Sequence, residues 1–298
     1  MIHDYLAAVG FSGLRDNQKV YELLEKVVLD PDEHRVTEDT HGSRFGCFTK
    51  EFGKNMGLTV CGNFYNHSEF HIDYYFPYLR GTRVSIYTEI EVEKYVHCEG
   101  YAGICDEIEL GMTLIFQVNN MADILCAHRN CCGTFYASSV VLSALSTKGR
   151  ILLPVYKDEQ QTKRQKESSL NRRKLMQKAR EGNQTAIDTL TMEDMDTYSM
   201  LSRRINVEKE DILSIVESSL MPYGVECEQY MIIGEITGCY VQLNNLTQEQ
   251  VWILSVDCAG LRMEVAINEK DLYGEPQIGR RFRGQIFLQG YIRTNRAI

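Results

Sequence analysis

Proline is scarce in this chain, five residues in 298, and tryptophan occurs once. With an ordinary share of apolar residues, that scarcity excludes wholesale disorder. No apolar run approaches the roughly 20 residues that a membrane-spanning helix needs. The start, Met1-Ile-His-Asp-Tyr-Leu, lacks the basic-then-apolar order of a secretory leader. A cytoplasmic protein with no membrane partner is therefore expected. Histidine is absent after residue 128, which confines any histidine chemistry to the N-terminal part. Also missing are a Gly-x-Ser-x-Gly elbow, a Walker phosphate loop and the dinucleotide-binding glycine pattern. An excess of positive charge is lacking too: the net charge of −9 argues against general binding to nucleic acid or anionic membranes. The ten cysteines are scattered from Cys47 to Cys258, so reduced and mostly buried thiols are expected rather than a disulfide framework.

What is present is clearest near the C-terminus. Trp252, Leu254, Val256 and Cys258 alternate with Val251, Ile253, Ser255 and Asp257. After Ala259-Gly260, Leu261, Met263, Val265 and Ile267 alternate with Arg262, Glu264 and Asn268. Strand side chains point to opposite faces in turn, so this reads as a hairpin with one apolar side. Met231 to Thr237 supplies a strand before it and Phe282 to Leu288 one after it. Strand, hairpin, short polar segment and strand suit a small OB-like β-barrel over 223–298.

Upstream, Val20, Leu23, Leu24, Val27 and Val28 form one apolar helical stripe, with Asp16 as cap and Asp30-Pro31 as stop. Aromatic and β-branched segments follow at 44–52, 57–61, 69–76, 83–95 and 108–118. Their connections are too short for crossover helices, which predicts an antiparallel sheet. A short helix is expected at 121–128, and 137–147 is a small-residue stretch. Composition changes at Tyr156, where Lys157 to Arg180 carries nine basic and three acidic residues. Beyond it, helices are expected at 170–180 and 185–190, with a new capping box at Thr191. The fold class is thus α+β: an antiparallel sheet domain with helices (1–156), a helical connector (157–222) and the OB-like barrel (223–298). The run Met192 to Arg204, rich in Met, Tyr and Arg, is expected to pack between domains.

Three groups of residues carry possible chemistry. His67, Glu69, His71 and Asp73 share one face of a strand at a spacing of two, as metal ligands or an acid–base pair would. A solvated antiparallel strand has the same look, and that plainer reading is preferred. Cys126, His128, Cys131 and Cys132 are four soft donors in seven residues, but they lack the separated pairs of a structural zinc site. Arg280, Arg281, Arg283 and Arg293, with Phe287 and Tyr291 interleaved, have the composition of a single-strand nucleic-acid surface. The near-neutral barrel and acidic whole disfavour it.

Five longer segments carry a resemblance: Tyr74-Tyr-Phe-Pro-Tyr-Leu-Arg-Gly, Gly149-Arg-Ile-Leu-Leu-Pro-Val, Leu190 to Arg204, Met221 to Tyr230 and Gly274 to Gly284. In these the whole chain resembles an uncharacterised bacterial family, mainly clostridial, known only as a domain of unknown function. The resemblance implies a bacterial cytosolic protein and brings no catalytic residue with it; Cys126, Cys131 and Cys132 lie outside its pattern. The leading expectation is a non-enzymatic binding or scaffolding protein with another protein as partner and no cofactor. Single-stranded nucleic-acid binding through the barrel is the second expectation, and a metal-dependent enzyme built on the His/Glu/Asp strand face is the third.

Overall fold

The structure, a computed structural model, describes residues 3–38, 42–65, 69–95, 100–107, 110–130, 139–155, 171–172 and 174–293. A short 3-10 helix of six residues, Asp4–Val9, comes first, and α1 (Asn17–Leu29) follows. Asp16 caps α1 by accepting from the Gln18 amide, which satisfies one of the donors a helix start leaves open. Val20, Leu23, Leu24 and Val27 are its buried stripe, as the periodicity predicts.

Four strands then form an antiparallel sheet in sequence order: β1 (Glu33–Glu38), β2 (Arg44–Gly53), β3 (Met56–Tyr65) and β4 (Glu69–Leu79). α1 lies on one face of β2 and β3. The antiparallel expectation holds for these four strands, although β1 carries no apolar alternation and escapes a pattern-based reading; the segments expected at 83–95 and 108–118 belong instead to the second sheet, where Gln117 and Val118 pair in parallel with Gln289 and Gly290. The segment 83–95 is not one long strand. It contributes a lone bridge from Ile86 to Val140 and the short β5 (Glu91–Lys94). β6 (Tyr101–Glu107) and β7 (Met112–Val118) make a hairpin, and α2 (Met121–Asn130) follows where a helix is expected.

The stretch of small residues at 137–147 is a strand. β8 (Ser139–Leu152) runs fourteen residues and is buried along most of its length. The connector expected to be helical ends in a strand, β9 (Ser219–Pro222), and beyond it come β10 (Gln229–Leu243), β11 (Gln250–Cys258), β12 (Leu261–Asn268), the two-residue β13 (Leu272–Tyr273) and β14 (Arg281–Arg293). β10, β11, β12, β8 and β14 form a ring in that order, because β14 pairs with both β10 and β8. Every pairing in the ring is antiparallel except β12 with β8, which runs parallel from Glu264 opposite Ser143 to Ile267 opposite Ser146. The barrel is therefore five-stranded and mixed, with one stave drawn from ahead of the connector. Small residues suit β8 because ring closure crowds it. A Cβ on Gly149 would come 2.4 Å from Phe282 and 2.8 Å from Ile267.

The β11–β12 hairpin is where it is expected, turning at Ala259 and Gly260, both at positive φ. Its one-sided character is not. Leu254, Val256, Met263, Val265 and Ile267 fill one core, while Val251, Ile253 and Ala266 on the opposite face are buried in a second. That second core also holds Tyr5, Leu6, Val9, Phe11, the α1 stripe and Met56, Leu58 and Val60 of β3. The N-terminal sheet and helices are thus packed against the outside of the barrel. Side chains sew the join: Gln289, wholly buried, donates to the Pro77 carbonyl and accepts from the Leu79 amide. Asn244 donates to the Val9 carbonyl, and Glu249 accepts from the amide and hydroxyl of Ser12.

In the connector, α3 (Gln184–Asn206) is one continuous helix capped by Asn183, followed by the single turn α4 (Ile212–Ile215). Thr191 starts no new helix. Its hydroxyl donates back to the Ile187 carbonyl within α3. Met192 to Arg204 does not pack between domains either: Met192, Met195, Tyr198 and Met200 are exposed, Tyr198 to 74%. Among the described residues no helix is long and apolar enough to cross a membrane.

Candidate functional site

The strand face of β4 bears Glu69, His71 and Asp73, all exposed; His67 lies outside the described residues. His71 Nε2 is 3.5 Å from Glu69 Oε1, and Asp73 accepts a 2.8 Å hydrogen bond from Asn63 on β3. A bulge between Cys61 and Gly62 shifts the register opposite Asp73. Among the described residues no three His, Cys, Asp or Glu side chains gather as a metal site. Cys126 is exposed on α2, whereas Cys131, Cys132 and the side chain of His128 lie outside the described residues.

The arginine group divides along β14. Arg281, only 5% exposed, spends its guanidinium on the carbonyls of Leu153, Leu213 and Val216, which ties β8 and α4 to the barrel. Arg280 donates to the Glu275 carbonyl at 2.8 Å. Arg283 is half-buried and Arg293 is exposed. Ten residues separate these two, roughly 33 Å at 3.3 Å per strand residue. Phe287 is buried and stacks on Tyr5 with ring centres 4.9 Å apart, so its face is taken. The hydroxyl of Tyr291 donates to Asp123, and the Arg80 guanidinium lies over its ring. Sequence spacing thus grouped residues that the fold commits to separate structural tasks. Arg281 and Phe287 are unavailable as surface contacts because both are buried.

Two clefts lie at the junction of sheet and barrel, and neither is visible as a motif. The larger, about 430 Å³, is walled by Tyr74, Tyr75 and Phe76 of β4, His3 and Tyr5 of the N-terminal turn, Tyr95, Gln117 and Phe287, with Asp4, Glu226 and Glu228 adding carboxylates. The described lining residues include no lysine or arginine. Burial pushes His3 down to about 4, so its imidazole is neutral near pH 7 even with Asp4 beside it. Burial, reinforced by Glu226 and Asp4, pushes the Tyr5 hydroxyl up to about 12. The Tyr95 hydroxyl donates to the buried Glu228 carboxylate, and the Tyr75 hydroxyl accepts from the His3 amide at 2.8 Å. The cleft is therefore aromatic, acidic and without a described internal cation. A volume in the range of small-molecule sites adds to the case. The only sequence signal for it is the tyrosine run at 74–78, whose partners are far away in the chain.

The smaller cleft, about 80 Å³, lies between the sheet and the start of α2. Glu33, Arg35, Cys47, Cys61, Phe76, Tyr78, Arg80, Asn119, Asp123 and Tyr291 are among its lining. Arg80 meets Glu33 in a two-pronged pair at 3.1 and 3.2 Å, and Arg35 approaches Asp123 at 3.4 Å. Cys47 and Cys61, opposite each other on β2 and β3, bring their sulfurs to 3.0 Å. Hydrogen bonding to Cys61 and burial, with Asp123 adding to both, hold the Cys47 thiol well above its usual range.

A closed mixed five-strand barrel, joined to an antiparallel sheet with helices, defines an α+β protein with clefts at the join. Residues 6–290 match the family described as Domain of unknown function, E. rectale Gene description (DUF3881), and the chain belongs to that clostridial family. No curated protein and no solved structure matches it.

Proposed function

We propose that this is a non-enzymatic binding protein whose ligand is a small organic cation, held in the tyrosine-lined cleft. The observation that carries this is a 430 Å³ space lined by Tyr74, Tyr75 and Tyr95, with three carboxylates and no lysine or arginine among its described walls. Aromatic faces attract a cation by about 0.5–2 kcal/mol each, more when water is excluded. A buried carboxylate such as Glu228 favours the same charge. The test is calorimetric titration with choline and with its neutral carbon isostere, 3,3-dimethylbutanol. Choline is expected to bind at least tenfold tighter, and Glu228→Gln to remove most of that preference. Equal affinities, or no binding of choline at millimolar concentration, would overturn the reading.

The barrel supports an OB-like description: five strands, with an order that places β8 where a last strand would stand. Single-stranded nucleic-acid binding draws less support from it. The outer face of the β11–β12 hairpin, the face such barrels commonly use, is buried here in the core that also holds the N-terminal 3-10 helix, which packs on β12. A metal-dependent enzyme would rest on Glu69, His71 and Asp73, together with His67. The three described members face solvent rather than a cleft.

A further inference from the structure

We infer that Cys47 and Cys61 form a reversible dithiol–disulfide site, with hydrogen peroxide as the class of oxidant that reaches it. The two residues face each other directly across β2 and β3. Their sulfurs stand 3.0 Å apart, about 1 Å beyond a covalent S–S bond, and directly paired antiparallel residues have the Cα separation that a disulfide spans. Access is one-sided. Cys47 keeps 8% of its surface and Cys61 keeps none, yet both line the smaller cleft. At about 80 Å³ that cleft exceeds the roughly 10–15 Å³ that one water-sized molecule needs, so it has room for peroxide beside the two sulfurs.

The chemistry balances without any further reagent. The Cys47 thiolate attacks one peroxide oxygen, the O–O bond breaks, and hydroxide leaves and takes up the thiol proton as water. The Cys47 sulfenic acid is then attacked by Cys61, which forms the S–S bond and expels a second water. Two thiols and one peroxide give one disulfide and two waters. Burial keeps Cys47 protonated, so the first step is slow near pH 7. The same burial makes Cys47 a poor leaving group once joined, so the bond, when formed, resists reduction by monothiols attacking at Cys61. The row that holds the pair continues to Tyr74 on β4, a wall of the larger cleft, which places the bond beside the proposed ligand site.

The experiment uses the full-length reduced protein treated with hydrogen peroxide, then denatured, alkylated, digested and mapped by mass spectrometry. A linked peptide pair carrying Cys47 and Cys61, reversed by dithiothreitol, is the expected result. Cys61→Ser should convert the product to a Cys47 sulfenic acid captured by dimedone. Exposed Cys126 and Cys227 serve as the internal control for oxidant exposure. If they react while Cys47 and Cys61 are recovered reduced, the pair is core packing only and the proposal fails. It fails equally if Cys47 is found joined to any other cysteine. Neither result bears on choline binding, so this proposal and the ligand reading stand or fall separately.

Discussion

Replacing His3 by Asn should flatten the acid limb of the stability curve. His3 is partly buried, packed among Tyr5, Tyr75 and Phe287, and is held near 4, against about 6.5 for an exposed imidazole. Between those two pH values the unfolded chain binds a proton that the folded chain refuses. Stability therefore falls as pH falls through that window, and it is unaffected above about 6.5. A separation of about 2.5 pH units at 1.36 kcal/mol each is worth about 3 kcal/mol. His3 has a second task, since its Nδ1 accepts from the Tyr5 amide at 3.3 Å and caps the N-terminal turn. Asn keeps an acceptor suited to that position and does not titrate. Urea unfolding of both proteins at pH 7, 6, 5 and 4 isolates the effect. The two should be within about 1 kcal/mol at pH 7, with the variant ahead by about 2–3 kcal/mol at pH 4. Parallel losses down to pH 4 would refute the claim that His3 is held neutral in the folded protein.

Two further perturbations test how the connector and the N-terminal segment are fastened to the barrel. Arg281→Met removes three charge-assisted hydrogen bonds to the carbonyls of Leu153, Leu213 and Val216, and should cost about 2–4 kcal/mol in urea unfolding. A loss below about 0.5 kcal/mol would mean the guanidinium pins nothing. At Glu249, burial pushes the carboxyl up, but hydrogen bonds from Ser12, Lys270 and Asn268 outweigh it and hold it below 4.5. Its stabilisation is present above the unfolded value and lost as pH falls through the folded one. Glu249→Gln should thus cost about 1–2 kcal/mol at pH 7, with the gap narrowing as acid protonates the folded carboxyl; a gap that stays constant throughout an acid titration would count against the ionic account.

Where local chemistry decides, the amino-acid order was enough. The stripe of α1 and its Asp16 cap lie within a few residues of each other, so helical periodicity reveals both. The hairpin of β11 and β12 is equally local, since alternation and the Ala259-Gly260 turn suffice to set it. Long segments such as Tyr74 to Gly81 also carried the family resemblance, because identity over a run of residues needs no three-dimensional context.

Tertiary structure decided the rest. Ring closure depends on β8, whose partners on β12 lie more than a hundred residues onward, and a parallel pair leaves no turn to betray it. Small residues there mean crowding by Phe282 and Ile267, a fact that exists only once the barrel closes. Alternation shows which residues of β11 share a face, but not that both faces are covered; the second face is buried in a core that the N-terminal 3-10 helix, with Tyr5 and Leu6, closes. Spacing likewise set Arg281 beside Arg283 and Phe287 near Tyr291, while packing spent Arg281 and Phe287 on the interior. The tyrosine cleft is assembled from residues 3–5, 74–76, 95, 117, 226–228 and 287. Periodicity acts over a handful of residues, whereas a cleft forms where distant surfaces meet, and only folding brings those surfaces together.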